Sequence, residues 1–512
     1  MTQGEIEKLT VKVSNIFSEL EVRIMTDIVR RIKENGFASA SVDWQISRLQ
    51  QLGMAEEDIR GWIQSALQAT DAEMDRIFSD EVYKQYYEQE HFFKLAGMQQ
   101  IPLEENFVLQ QLIEATKKQV QGEYKNLTGS MGFAIRNPAT GRIQSSPLME
   151  YYRTSMDQAV IDIKSGAFDY NTVLKRTVNQ MTASGLRYIE YDSGHRDRID
   201  VAARRAILTG FRQVQGKIME MLANQLGTDL YEVSYHVGAR PTHQPWQGKA
   251  WSMQELKQVC GLGEITGLKG INCYHDFKPI PPGAKRTYTD EQLQKMLEEE
   301  NTQKEYNGKQ YTTYEALQQQ RKMERGMRAQ RQKIKLLQQG GADEQEIILA
   351  KAKYQGQMQT YKDFSEKMKL PEQKARIMQD GLKGKFMPTK AEQKVLEESA
   401  INDKIKADMK AVGMRGEINL KPEIPDVSKL SFDEHHINQE RQHNVTESEA
   451  KSYIQKAVFS TTKWKGKFTN YYSDEGAAFV DNETQHIKTA FKKEQYDEAA
   501  TAAMEVLKNG WS

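Results

Sequence analysis

Apolar residues recur at steps of three or four through the first stretch of the chain. Leu9, Val13, Ile16, Leu20, Ile24, Ile28 and Ile32 form one stripe, the spacing that buries one face of a long α-helix. "NGF" at 35–37 ends the stripe, with Gly36 suited to a C-cap. The segment 54–87, "MAEEDIRGWIQSALQATDAEMDRIFSDEVYKQYY", predicts two more helices with acidic first turns, where the helix dipole favours carboxylates. This helical pattern continues to about residue 125.

The texture then changes. "LTGSMGFAIRNPATGRIQSSP" (127–147) is rich in turn residues. Helical periodicity returns in 151–166 and 170–186, and most strongly in 196–227. "YEVSYHVGARPTHQPWQGKAW" (231–251) starts like a strand and runs into a loop of Gly, Pro and aromatic residues. In 261–283, Pro279, Pro281 and Pro282 forbid a helix. From 287 to about 415 the chain is charged and helical again. "TDEQ" at 289–292 opens it with a cap signal, and "GGAD" at 340–343 divides it, so a helical hairpin is expected.

Residues 420–431, "LKPEIPDVSKLS", read as a Pro-punctuated linker into a small α+β unit. "FDEHHINQERQHN" (432–444) predicts a short helix. Thr446 and Glu449 make a capping box for the next helix. Three strands follow at 467–472, 477–481 and 486–491, then a last helix that ends at Gly510. The expected fold class is mainly α, with a loop-rich α+β middle domain and a C-terminal α+β domain of helices followed by an antiparallel meander. The expected regions are 1–125 (helical), 126–285 (core domain), 286–419 (charged hairpin), 420–430 (linker) and 431–512 (terminal domain).

Composition narrows the partners. Of 512 residues, 38% are hydrophobic and 28% charged, which suits a helical protein with much exposed surface. Formal net charge is zero, so no global field draws the chain to nucleic acid or to an anionic membrane. A nucleic-acid contact must be local. No signal peptide or apolar run of membrane-spanning length is evident, so no membrane partner is expected. Two cysteines exclude a disulfide scaffold and fit synthesis in a reducing cytosol.

Three constellations carry candidate chemistry. The first is basic: Arg321, Arg325, Arg328 and Arg331, with three lysines, against the single acid Glu324. This run reads either as a solvated face of the hairpin or as a contact for nucleic-acid phosphates. The second is His236, His243, Cys273 and His275 on two loops about thirty residues apart. Cys273 and His275 are zinc-ligand types, but their spacing matches no standard zinc motif. The expectation is therefore a structural role for these residues, with no metal and no cofactor. The third is His435, His436, Arg441 and His443, which concentrates three of the nine histidines in about ten residues.

Two loops also carry a resemblance. "GARPTHQPWQGKAW" (238–251) followed by "GLKGINCYHDFKPIPPG" (267–283) resembles the signature of the phage minor capsid protein 2 family, in the residues Arg240, His243, Trp246, Gly248, Asn272, Cys273 and His275. The N-terminal helices, "AARRAILTG" (202–210) and the charged hairpin fit the same family, over roughly three-quarters of the chain. The plan is also similar to Mu F-like head morphogenesis proteins. The resemblance implies a minor structural protein of a tailed-phage head, in few copies near the portal. Its implied partners are the portal, the major capsid protein and packaged DNA.

The terminal domain resembles the phage-borne barnase/EndoU/colicin/RelE-like nucleases in its order of helices, then meander. Metal-free RNA cleavage needs a base, an acid and a cation over the phosphate. Histidine titrates near neutrality and arginine offers a planar fork of donors. His436 and Arg441 are the first candidates, with His443 and His435 beside them and Thr489 as a hydroxyl donor. The implied substrate is host RNA, with tRNA as one candidate. No glutamate stands as a base on a central strand, so the alternative is a degenerate, inactive nuclease fold on a purely structural protein.

Overall fold

The computed structural model describes residues 3–36, 43–95, 97–136, 140–188 and 196–510. It divides into two compact units, Met1–Met387 and Pro388–Ser512. The chain is mainly α-helical with small sheets, as its periodicity predicts. No helix among the described residues is long and apolar enough to cross a membrane.

The first unit is built around the helix Val11–Gly36. Val13, Leu20, Ile24, Ile28 and Ile32 are buried, joined by Phe17, Met25 and Val29. Each such side chain contributes roughly 1.5–3 kcal/mol when it leaves water. The helix packs on Asp43–Arg76, Leu148–Lys164, Ile199–Leu226 and Thr313–Gly340. Because it is surrounded, its polar positions are buried too and need partners. Glu21 accepts from the Leu186 backbone N–H at 2.6 Å, from Arg198 at 2.6 Å and from Gln332 at 2.8 Å. One carboxylate thus ties a strand and two helices to the central rod. The C-cap expected at Gly36 borders residues 37–42, which lie outside the described residues.

The two helices expected within 54–87 are one helical run. Asp43–Arg76 continues through a π-helical turn, Ile77–Glu81, into Val82–Tyr87. No proline interrupts it, and the wide turn lets Ile77 and Phe78 both reach the core. The remaining helices fall where the pattern puts them: Leu148–Lys164, Tyr170–Ser184 and Ile199–Leu226, the last closed by Gly227 in the left-handed conformation. The charged hairpin is present as Thr313–Gly340 and Glu344–Met368, turning at Gly341. A small antiparallel pair, Lys304–Tyr306 with Lys309–Tyr311, precedes it and is not evident in the pattern.

The second unit starts well before the expected linker. Its sheet has six strands, in the order Ser431–Phe432, His486–Lys492, Gly476–Asp481, Phe468–Tyr472, Phe459–Lys463 and Glu417–Asn419. All neighbours are antiparallel except the first pair. The helices Lys390–Ala411 and Glu498–Gly510 share one core with Phe459, Tyr472 and Ala477. The helix Glu447–Gln455 shares another with Tyr471, Ala478, Val480 and Ile487. Successive strand residues point to opposite faces, so these cores cover the two sides of the sheet. Residues 420–430, expected as a linker, run between the two edge strands instead. Leu420 and Leu430 are buried, and Tyr471 donates to the Glu423 carbonyl at 3.1 Å. Their apolar anchors make them part of the unit. The helix expected at 432–444 is an edge strand followed by a π-helical turn, His435–Glu440.

Candidate functional site

The strand Leu230–Val233 lies between Ala250–Ser252 and Phe277–Pro279 in a three-stranded sheet. The chain leaving the central strand and the chain entering its neighbour are thereby brought side by side. This is why loops 234–249 and 260–276, distant in sequence, meet. Arg240 clamps them by donating to the Ile271 carbonyl at 2.7 Å. His243 sits in a tight helical turn, its N–H bonded to the Arg240 carbonyl. Trp246 is buried beneath it, with ring centroids 4.4 Å apart. Gly248 has φ +71°, and a Cβ there would stand 2.4 Å from Leu293 Cδ2, so the position requires glycine. Asn272 takes φ +54°, which an asparagine tolerates, and stays exposed while Cys273 beside it is buried.

At the meeting point His243, Cys273 and His275 converge. His243 Nδ1 lies 3.4 Å from His275 Nδ1, and Cys273 Sγ lies 3.5 Å from the same atom. The outer nitrogens are both held: His243 Nε2 by the Thr266 carbonyl at 2.9 Å, His275 Nε2 by Gln247 Oε1 at 2.9 Å. His236, the fourth residue of this constellation, turns its Nε2 to the Ser234 hydroxyl instead. Burial, reinforced by His236, His243 and Arg212, holds His275 down to about 2; burial and Arg212 hold His236 down to about 4. Burial pushes the Cys273 thiol up, opposed by Arg212 and by backbone N–H groups of His275 and Lys269. The spacing matches no standard zinc motif because the three members come from two loops that the sheet and the Arg240 clamp bring together.

The same loops form one wall of a cavity of about 470 Å³. Arg321, Arg325 and Arg328 line it from the helix Thr313–Gly340, opposite Arg240, with Arg204 and Arg376 beside them. The basic run is therefore no plain solvated face. Three of its arginines stand within one helical sector facing an open recess. Arg328 has Asp200 at 3.7 Å, and Arg376 is held by Glu7 at 2.7 Å. Arg331 departs from the expected set. It is buried, donates to Asp380 at 2.5 Å and to the Leu382 carbonyl at 3.0 Å, and has no part in the cavity lining. Three residues past Arg328, it has rotated toward the interior, where its charge is neutralised by Asp380.

The sequence model of phage minor capsid protein 2 matches residues 1–366. The chain belongs to the phage minor capsid protein 2 family. Among curated proteins and among solved structures, nothing matches. Membership in the minor capsid protein 2 family gives the chain a structural role in a phage, and the two convergent loops lie within the matched residues.

The family match ends before the second unit, where the other histidine cluster stands. His436 Nδ1 meets Glu440 Oε2 at 2.6 Å, and Arg441 Nε donates to His436 Nε2 at 3.0 Å. The π-helical turn brings about this triple contact, because it widens the spacing enough for residues four and five apart to reach one ring. Glu440 was not singled out by sequence; its i+4 spacing from His436 is the signal that marks it. His435 is exposed, 3.8 Å from Glu440. His443 turns away to Gln495 at 3.3 Å and packs on Phe491. Thr489 does not join them. It pairs directly with Phe479, whose side chain belongs to the core under Lys390–Ala411 and Glu498–Gly510, whereas Ile437 beside His436 packs into the core on the other face. Thr489 is buried with its hydroxyl unpaired.

Proposed function

We propose that the chain is a minor structural protein of a tailed-phage head, located in the virion near the portal, where it assists head morphogenesis or DNA delivery. One observation carries this reading. The family match, residues 1–366, spans nearly all of the compact unit 1–387, so the family relationship concerns the whole folded body. The portal and the major capsid protein are the partners this role requires. Packaged DNA is the polyanion that Arg321, Arg325 and Arg328 suit, since arginine forks match phosphate oxygens. Quantitative mass spectrometry of purified particles is expected to find the chain at copy numbers far below the major capsid protein. Its presence in infected lysate and absence from particles would make it an assembly factor instead.

A second reading concerns the unit 388–512 and rests on the Glu440–His436–Arg441 chain. In that chain the carboxylate fixes the imidazole, which suits metal-independent RNA cleavage. With Arg441 moved from His436 Nε2 to the phosphate, that nitrogen takes the 2′-hydroxyl proton, the 2′-oxygen displaces the 5′-oxygen at phosphorus, and water supplies the proton that the leaving 5′-oxygen takes up. Arg441 would hold the phosphate. Full-length protein incubated with total bacterial RNA in EDTA is expected to cleave it, and His436→Ala to lower the rate about 10²–10⁴-fold. Intact RNA under folded conditions would leave the unit as a degenerate nuclease fold retained for binding.

A further inference from the structure

We propose that His243, His275 and Cys273 bind a zinc ion through Nδ1, Nδ1 and Sγ, with the fourth coordination position open to the arginine-lined cavity. This departs from the metal-free role expected from ligand spacing in the sequence, and it is independent of the ribonuclease reading.

The argument begins with the hydrogens. Gln247 Oε1 accepts from the His236 backbone N–H at 3.0 Å. A backbone N–H only donates, so the amide oxygen is fixed as the atom that faces His275. His275 Nε2 must then be the donor. The partner of His243 Nε2 is a backbone carbonyl, so that nitrogen is a donor as well. A neutral imidazole carries one ring hydrogen. Both Nδ1 atoms therefore present lone pairs, and they point at each other across 3.4 Å.

No hydrogen is available between them. The Cys273 thiol can donate to one Nδ1 and leaves the other unmatched, in a buried place where an unmet acceptor is costly. A cation between the three atoms removes the conflict. The geometry fits: Zn–N of about 2.0–2.1 Å and Zn–S of about 2.3 Å give tetrahedral edges of about 3.3 Å and 3.5 Å. The two edges that meet at His275 Nδ1 are 3.4 Å and 3.5 Å; the third, between His243 Nδ1 and Cys273 Sγ, is at most 4.8 Å and closes to the tetrahedral edge when the ion binds. The outer carbonyl and amide contacts are the supports that metal-bound histidines use to fix ring and tautomer. One thiolate and two imidazoles select zinc over calcium or magnesium. His236 is excluded as the fourth ligand because its Nε2 is committed to Ser234. All three ligands line the cavity, so solvent or an anion entering it completes the shell.

The test uses full-length protein purified without added metal, then dialysed against micromolar Zn²⁺ and analysed by plasma mass spectrometry. One zinc per chain is expected. Replacement by Co²⁺ is expected to give tetrahedral d–d bands with a thiolate-to-cobalt charge-transfer band in the near ultraviolet. That band should disappear in Cys273→Ser and persist in Cys260→Ser. Wild-type protein that takes up less than a tenth of an equivalent of zinc, or a cobalt adduct with no thiolate band, would overturn the proposal whatever the variants do.

Discussion

The two histidine clusters of this chain are opposites. His435, His436 and His443 are conspicuous in sequence, yet their rings diverge: one is exposed, one lies between Glu440 and Arg441, and one turns to Gln495. His243 and His275 are thirty-two residues apart and converge with Cys273 in a buried place. The difference shows what clustering in sequence means on a short helical turn. Neighbours there fan around the axis, whereas residues on paired loops can aim at one point. A sheet, which joins distant segments in register, is the better device for gathering ligands.

The comparison extends to charge. If the first unit's interior is a satisfied polar network, removing one member should hurt far more than removing a cavity arginine. Arg331→Met leaves Asp380 buried without its partner and is expected to cost about 3–5 kcal/mol. Arg325→Met, whose guanidinium faces the open recess, should change stability by no more than about 0.5 kcal/mol. Urea titration of both variants checks this. Equal losses would mean that Arg325 is as firmly built into the interior as Arg331.

Chelation separates the two clusters next. Zinc at a hundredfold excess over its Kd stabilises the state that binds it by about 2.7 kcal/mol. Treatment with a chelator is therefore expected to lower the melting transition of the first unit and leave that of the second in place. Calorimetry of the full chain reads both. A shift confined to the second unit would move the metal away from His243, Cys273 and His275.

Much of this architecture was legible because helices are local. The stripe from Val13 to Ile32, the turn at Gly341 and the Thr446–Glu449 box each depend on residues a few positions apart, and each stands where its pattern places it, whereas Leu9 ends a separate short helix, Gln3–Leu9. The strands at 468–472, 476–481 and 486–492 were legible for the same reason. Edge strands of two and three residues, Ser431–Phe432 and Glu417–Asn419, carry too little pattern to register. Their pairing across the sheet is what turned an expected linker into part of the unit. Arg331 was open to a helical-wheel reading. At about 100° per residue, Arg321, Arg325 and Arg328 share a sector of about 60°, and Arg331 falls outside it. The meeting of His243 with Cys273 had no local signal at all, since it depends on which strands flank Leu230–Val233.

The smallest expected effect concerns Thr489, where the two faces of the terminal sheet are compared. Its hydroxyl is buried on the face opposite Ile437 and has no hydrogen-bond partner. An unmet buried hydroxyl destabilises, and replacing it by a methyl of the same shape removes that penalty without opening a cavity. Valine also suits a strand as well as threonine does. Thr489→Val is therefore expected to leave the second unit unchanged or more stable by up to about 1 kcal/mol. If the unit cleaves RNA, the variant should cleave at the wild-type rate, in contrast to His436→Ala. A loss of activity in Thr489→Val, with stability retained, would show that the hydroxyl reaches substrate and that the strand turns this residue outward when RNA binds. Denaturant melts read beside cleavage rates distinguish the two, because only a contact with substrate changes one without the other.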